Sequence, residues 1–286
     1  MNAAYDHASE GSAEIGGIRW AYTDRGNGPL VVFLHGTFAS GAMYQDVILT
    51  LQDRYRCVAV DLPGHGRSGF NPDGWTLEDV VEGVGALIST FDAGPATLVG
   101  LSQGGAVAMR VALRYPTLVG ALVTQGAGPD GPAREAVDAM AAFGRALAEA
   151  DGERRRAAAV QIQPAFHASG WVQAHPQAAE QELSVILRHD RRAVALVAQV
   201  PGTADSIEEQ LNQITCPSLI MWGDEDPRAF WGPKMVAAMP AAQLVIVEHA
   251  GHHLNSDAPE VCAREIGRFL DEVHAGHAAP QSSERA

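Results

Sequence analysis

A serine with a glycine two residues away on either side is the first chemically suggestive feature of the sequence. The pentapeptide Gly100-Leu101-Ser102-Gln103-Gly104 joins an apolar, β-branched run, Ala96 to Leu101, to a helical pattern that continues to Tyr115. Glycines let a strand and a helix approach closely at such a turn, which exposes the serine hydroxyl. The first N–H groups of the helix then favour negative charge that develops on a carbonyl oxygen. The pattern therefore predicts Ser102 as a nucleophile.

A serine hydroxyl is a poor nucleophile at neutral pH and needs a positioned base. Histidine suits this task because its pKa lies near the working pH. Three histidines, His249, His252 and His253, follow the last predicted strand, Gln243 to Val247. Each of them is a candidate for the base.

The imidazole of such a base needs a carboxylate that fixes its tautomer and stabilises the imidazolium. Asp224 and Asp226 both follow a predicted buried strand, Ser218 to Trp222. The spacing Gly-x-x-Asp favours Asp226, with Asp224 as the alternative. The chain order serine, aspartate, histidine is the order found in folds whose nucleophile lies on a strand–turn–helix unit. Other folds that carry a triad have a different chain order.

The elements that must position these residues alternate between buried strands and helices, which predicts an α/β fold with a doubly wound, mostly parallel, eight-stranded sheet. The alternation stops after the sixth strand, where residues 126–206 have helical patterns only, including a predicted helix from Ala178 to Val200. We therefore expect a core formed by residues 1–125 and 207–275 and an inserted helical lid. The polar tail, residues 276–286, is expected to be disordered.

The order of these motifs resembles that of the α/β-hydrolase superfamily. The resemblance covers nearly the whole chain and includes His35-Gly36 after the third strand, the segment from Asp61 to Ser68, Gly223-Asp224-Glu225-Asp226, and Gly251-His252. The sequence is most similar to the capped esterases and lactonases of that superfamily, a group that includes 3-oxoadipate enol-lactonases and cofactor-free haloperoxidase-like esterases.

The resemblance implies roles for individual residues. His252, directly after Gly251, corresponds to the base, and the backbone N–H groups of Thr37 and Gln103 correspond to the oxyanion hole. Family members that carry the acid after the sixth strand are a poor match, since the first carboxylate there, Asp130, lies several residues beyond the strand. His35 and His65 are expected to brace their loops.

A serine nucleophile implies acyl transfer through an acyl-enzyme, because dehalogenases and epoxide hydrolases of this fold attack with aspartate. The expected reaction is hydrolysis of a carboxylic ester or a lactone. Carbon–carbon bond hydrolysis and perhydrolysis are alternatives that use the same triad, and a non-hydrolytic ligand receptor is a third. No cofactor is implied. No metal site is expected either, since no cluster of metal ligands is recognisable.

The substrate pocket is the least defined prediction. The large apolar residues of the lid and of the catalytic loops are candidates for its lining, although each could equally be ordinary packing. These residues are Phe38, Met140, Phe143, Phe166, Trp171, Trp231 and Leu254. The run Arg154-Arg155-Arg156 could attract an anionic substrate, but such runs are more often a solvated helix face.

The composition of the chain limits the classes of partner that it is expected to bind. The net charge of −14 argues against nucleic acid and anionic membranes as partners, and no apolar run is long enough to span a membrane. The three cysteines, an odd number with wide spacing, favour reduced thiols in the cytoplasm over a disulfide framework. No secretory signal is visible. A small-molecule ester or lactone is the expected partner. The protein could also form a homo-oligomer, which the sequence does not decide.

Overall fold

The structure, a computed structural model, describes residues 9–278 and contains one sheet of eight strands. The strands are β1 (Ser9–Ile15), β2 (Ile18–Arg25), β3 (Leu30–Leu34), β4 (Arg56–Asp61), β5 (Ala96–Leu101), β6 (Val119–Gln125), β7 (Ser218–Gly223) and β8 (Ala242–Val247). Their order in the sheet is β1-β2-β4-β3-β5-β6-β7-β8. β2 pairs antiparallel with β1 and β4, and the other pairs are parallel, so the predicted mostly parallel eight-stranded sheet is confirmed.

Helices connect these strands and cover the sheet. They are α1 (Gln45–Leu51), α2 (Leu77–Thr90), α3 (Gln103–Arg114), α4 (Arg134–Glu149), α5 (Gly152–Ile162), α6 (Trp171–Ala174), α7 (Pro176–Arg188), α8 (Arg191–Val197), α9 (Trp231–Ala238), α10 (Leu254–Asp257) and α11 (Pro259–Ala278).

The central strands are buried on both faces, which explains their continuous apolar sequences. In β3, Val31 and Phe33 pack in one apolar layer together with α1 and α11. Val32 and Leu34 pack in the opposite layer with α2, α3 and α9. The centre of the sheet is therefore packed on both faces, where β3 and β5 end next to the predicted nucleophile.

The segment between β6 and β7, residues 126–217, contains helices and, within the described part of the chain, no strand; we call it the helical insertion. The predicted helix from Ala178 to Val200 is in fact two helices, α7 and α8. The chain breaks at Asp190, whose side chain accepts hydrogen bonds from the N–H groups of Arg192 and Ala193 and so starts a new helix. The division into core and lid at residues 126 and 206 stays a prediction.

The last helix extends into the tail that was predicted to be disordered. α11 extends to Ala278, three residues into the segment that we expected to be disordered, and the rest of that segment lies outside the described residues. In the range from residue 9 to residue 278, no helix has both the length and the apolar character that a membrane crossing requires.

The three cysteines are unpaired thiols. Cys57 in β4 and Cys262 in α11 are buried, and burial raises the pKa of each to about 12. Burial also raises the pKa of Cys216. All three are therefore protonated, weakly reactive thiols at neutral pH.

Candidate active site

Ser102 occupies a strained turn between β5 and α3. Its backbone angles, φ 52° and ψ −116°, lie outside the regions that non-glycine residues ordinarily adopt, at a cost of about 1–3 kcal/mol. The Ser102 N–H donates to the carbonyl oxygen of Gln125 at 2.9 Å, which fixes the turn to the end of β6. A Cβ atom at Gly104 would lie 2.0 Å from the carbonyl oxygen of Leu34, so only glycine fits there. Tight backbone packing thus enforces the turn.

The candidate base and acid are in direct contact. His252 Nδ1 lies 2.7 Å from Asp226 Oδ2, and the carboxylate of Asp226 is almost fully buried. Burial alone would raise the pKa of Asp226, but the hydrogen bond from His252, together with the N–H of Arg228, brings it below its ordinary value. The carboxylate stays charged at neutral pH and can hold the imidazole with Nε2 directed away from it.

The alternative acid has a different role in the structure. Asp224 is exposed, and its Oδ1 accepts a hydrogen bond from the N–H of Ala250 at 3.3 Å. Its backbone N–H donates to Val247. Asp224 therefore supports the connection between β7 and the loop after β8, while Asp226 is the carboxylate on the imidazole.

Ser102 and His252 both lie beside the end of β6. Ser102 is hydrogen-bonded to Gln125, and a Cβ atom at Gly126 would lie 3.1 Å from His252 Nδ1. On the other side, a Cβ atom at Gly36 would lie 3.3 Å from that of Ser102. The carboxyl ends of neighbouring parallel strands therefore bring the predicted residues together, and both Ser102 and His252 remain partly accessible.

The two predicted oxyanion residues are linked to each other. The Thr37 hydroxyl donates to Gln103 Oε1 at 2.8 Å, and both residues are buried. Within residues 9–278, neither the Thr37 N–H nor the Gln103 N–H has a hydrogen-bond acceptor, whereas the next N–H, that of Phe38, donates to His65 Nε2 at 3.2 Å. The two free N–H groups are thus available to a ligand oxygen.

Two buried, neutral histidines support this loop. His35 Nε2 accepts from the N–H of Leu62 at 3.0 Å, so the proton of His35 is on Nδ1, which donates to Gly36 O at 2.7 Å. Burial lowers the pKa of His35 to about 4 and also lowers that of His65. His65 reaches beyond its own turn to Phe38, a contact that the sequence did not indicate.

Comparison with known proteins agrees with the fold described above. Residues 31–265 match the family described as Alpha/beta hydrolase family. The chain belongs to this family. The 2-(acetamidomethylene)succinate hydrolase of Mesorhizobium japonicum is 28% identical over 272 residues, which cover 94% of this chain and 97% of the relative.

Two solved structures show the same fold. A thermophilic esterase from Thermogutta terrifontis superposes with a TM-score of 0.84 at 25% identity, covering 93% of this chain and all of the esterase. The enol-lactonase from Burkholderia xenovorans LB400 superposes with a TM-score of 0.81 at 21% identity, covering 91% and 99% of the two chains. Family and relatives together identify the chain as a hydrolase.

A cavity of about 630 Å³ in this hydrolase lies between α7 of the helical insertion and the loop at Thr37. Three of the predicted pocket residues, Phe38, Phe166 and Trp171, line it. Its volume is within the usual range for small-molecule sites, about 300–1,000 Å³.

The other predicted pocket residues do not line this cavity. Leu254 is fully buried in the apolar layer with α11, and Trp231 packs in the layer with α3. Phe143 and Met140 belong to the apolar cluster of the helical insertion, where the Phe143 ring contacts Phe38 edge-on at 5.1 Å. These four side chains contribute to core packing. A sequence pattern alone does not distinguish an apolar residue that packs in a core from one that contacts a ligand.

The arginine run of this hydrolase does not reach the cavity either. Arg154 pairs with Asp151, Arg156 with Glu180, and Arg155 donates to the carbonyl oxygen of His189. Arg154 and Arg156 are exposed, as expected for a solvated helix face, whereas Arg155 is partly buried.

A charged network that the sequence did not reveal lies beside His252. His167 Nδ1 is 2.6 Å from Asp257 Oδ1, and His167 Nε2 is 2.8 Å from Glu182 Oε2. Burial would lower the pKa of His167, but these two carboxylates raise it to about 9. Asp257 Oδ2 also accepts from the N–H of Gly251 at 2.7 Å. The network thus joins the helical insertion to the loop that carries the candidate base.

Proposed function

We propose that this hydrolase cleaves a carboxylic ester or a lactone through an acyl-enzyme formed on Ser102. The observation that carries the proposal is the 2.7 Å contact between His252 Nδ1 and Asp226 Oδ2 beside a strained serine turn. His252 would take the Ser102 proton as the hydroxyl attacks the acyl carbon, and Asp226 would stabilise the imidazolium.

The developing oxyanion would be bound by the N–H groups of Thr37 and Gln103. Each such donor typically contributes about 3 kcal/mol to transition-state stabilisation. His252 would then return its proton to the leaving alcohol or enol oxygen, and a water activated by the same imidazole would release the acid. In a lactone, the leaving oxygen stays attached to the product.

The cavity beside Thr37 supports a small substrate. It lies next to the proposed oxyanion hole, and its lining combines aromatic side chains with charged ones. We propose that the helical insertion covers the bound substrate and excludes water from it.

The test is hydrolysis of p-nitrophenyl esters and of a lactone panel, with labelling by a fluorophosphonate. The wild type is expected to turn over and to be labelled at Ser102, and Ser102→Ala should lose roughly 10⁴-fold or more in kcat. Ser89→Ala, at an exposed serine of α2, is the matched control and should keep both properties. A wild-type protein that shows neither turnover nor labelling would overturn the proposal and favour a ligand receptor.

A second candidate reaction comes from the relative named 2-(acetamidomethylene)succinate hydrolase, whose similarity spans nearly the whole chain. The panel should therefore include an acetamido-bearing unsaturated dicarboxylate and a vinylogous diketone. Faster turnover of either compound than of any ester or lactone would transfer the assignment to that chemistry, with Ser102 and His252 in the same places.

A further inference from the structure

Three metal-ligating side chains converge next to the candidate base, although they are far apart in sequence. His167 follows the 3₁₀ turn Gln163–Phe166, Glu182 lies in α7, and His253 directly follows His252. One ligand atom from each residue lies within 4.8 Å of the other two. Of these, His167 Nε2 and Glu182 Oε2 are 2.8 Å apart, and His253 Nδ1 and Glu182 Oε2 are 3.8 Å apart.

The imidazole of His253 presents an unsatisfied nitrogen to this cluster. His253 is 9% exposed, and its Nδ1 is buried without a hydrogen-bond partner. Buried polar nitrogens in native proteins are nearly always satisfied, so an orphan needs a reason. The ring is held in place, because it stacks on Phe166 with an interplanar angle of 6° and its backbone N–H donates to Phe166 O at 2.7 Å. Nδ1 therefore faces the carboxylate of Glu182 from a fixed position.

The other two residues are oriented by groups that do not belong to the cluster. The second nitrogen of His167, Nδ1, contacts Asp257, and the His167 ring stacks on Trp171 at 3.9 Å. The second oxygen of Glu182 accepts from the Ser256 hydroxyl. Carboxylates on the distal nitrogen of a histidine are typical of metal ligands, because they fix the tautomer and raise the basicity of the ligating nitrogen.

We propose that His167, Glu182 and His253 bind a zinc-type divalent cation at the junction of the helical insertion and the His252 loop. A tetrahedral zinc ion with bonds of about 2.0–2.1 Å holds its ligand atoms about 3.3 Å apart, which lies between the two separations seen here. Two imidazoles and one carboxylate are a common zinc ligand set. The cation replaces the proton shared by His167 and Glu182, and that proton passes to solvent.

The fourth coordination position would be open. Glu182 and His253 line the 630 Å³ cavity, so a water molecule or a ligand anion can complete the coordination from that side. The cation would join the helical insertion to the loop that carries His252. It is not required for the proposed acyl transfer, so metal binding and hydrolysis can be tested separately.

The test is titration of the metal-stripped, full-length protein with zinc sulfate against a chromophoric chelator, with metal content checked by mass spectrometry. We expect one zinc per chain with a dissociation constant below about 1 µM. Cobalt(II) in place of zinc should give the visible absorption of a tetrahedral site.

His253→Asn and Glu182→Gln should each weaken zinc binding at least roughly tenfold. His249→Asn is the matched control, since His249 is an exposed histidine of the same loop with φ 57°, which asparagine tolerates. It should bind zinc as the wild type does. Thermal unfolding followed by circular dichroism verifies that each variant is folded.

Two results would overturn the proposal. One is the absence of stoichiometric zinc uptake by the folded wild type. The other is equal zinc uptake by the wild type and folded His253→Asn, which would place the metal on other histidines. Either result would make the cluster a purely ionic contact in which His167 is held between Glu182 and Asp257.

Discussion

The predicted nucleophile and the predicted base of this hydrolase are held by two different kinds of structure. On the nucleophile side, Ser102 is fixed by backbone contacts at the ends of β5 and β6, and neutral histidines support the adjoining loop through backbone hydrogen bonds. On the base side, His252 is fixed by the charged side chains of Asp226 and, through Gly251, Asp257. The first arrangement depends on the sheet, while the second depends on ionised groups from separate segments.

The largest expected effect is on the base side. Asp226→Asn leaves the shape of the site intact but removes the charge that orients His252, so kcat should fall by about 10⁴-fold. Asp224→Asn, the matched control two residues away, should stay within tenfold of wild type. Steady-state kinetics on a p-nitrophenyl ester measure both. The reverse outcome would transfer the acid role to Asp224.

The next effect concerns the backbone packing of the nucleophile side. Gly104→Ala places a Cβ atom 2.0 Å from Leu34 O, and the free energy of unfolding should fall by about 3 kcal/mol or more. In Gly69→Ala, the nearest atoms are 3.6 Å away, and the loss should be much smaller. Urea unfolding distinguishes the two. Equal stabilities would show that the turn tolerates a side chain and that the contact with Leu34 is not limiting.

The neutral histidines predict a pH dependence of stability. The pKa of His35 is about 4 when folded and about 6.5 when unfolded, so the unfolded chain binds more protons between these values. The contribution of His35 to the free energy of unfolding is therefore fully present above pH 6.5. It is lost as the pH falls towards 4, by roughly 3 kcal/mol in total. Urea unfolding of wild type and His35→Gln at several pH values measures it. If the free energy of unfolding depends on pH in the same way for both proteins, a neutral, buried His35 is contradicted.

The smallest expected effect is at the link between the two predicted oxyanion residues. Thr37→Val removes the hydroxyl that donates to Gln103 Oε1 and leaves a buried oxygen unpaired, at a cost of about 1 kcal/mol. If the same loss appears in the transition state, kcat falls about fivefold. Thr37→Ser keeps the hydroxyl and should behave as the wild type. Unchanged kinetics for Thr37→Val would show that the backbone alone holds the two donors.

The contrast between local structure at strand ends and contacts between distant segments also explains which features could be predicted from the sequence. The serine turn and the Gly-x-x-Asp spacing are short motifs at strand ends, so their geometry follows from local structure and from the sheet. The contact between His167 and Asp257 joins residues 90 positions apart and depends on how the helical insertion packs. Helical periodicity continued across the break at Asp190, because a capping side chain does not interrupt the spacing of the apolar residues.

The buried thiols make selective labelling of this protein practical. Because Cys57, Cys216 and Cys262 are held as thiols by burial, an alkylating dye at neutral pH would react far faster with a thiolate introduced at the surface. Val160, 47% exposed on α5, is a suitable position. A single Val160→Cys substitution would therefore give a site-specific fluorophore on the helical insertion without removal of any native cysteine.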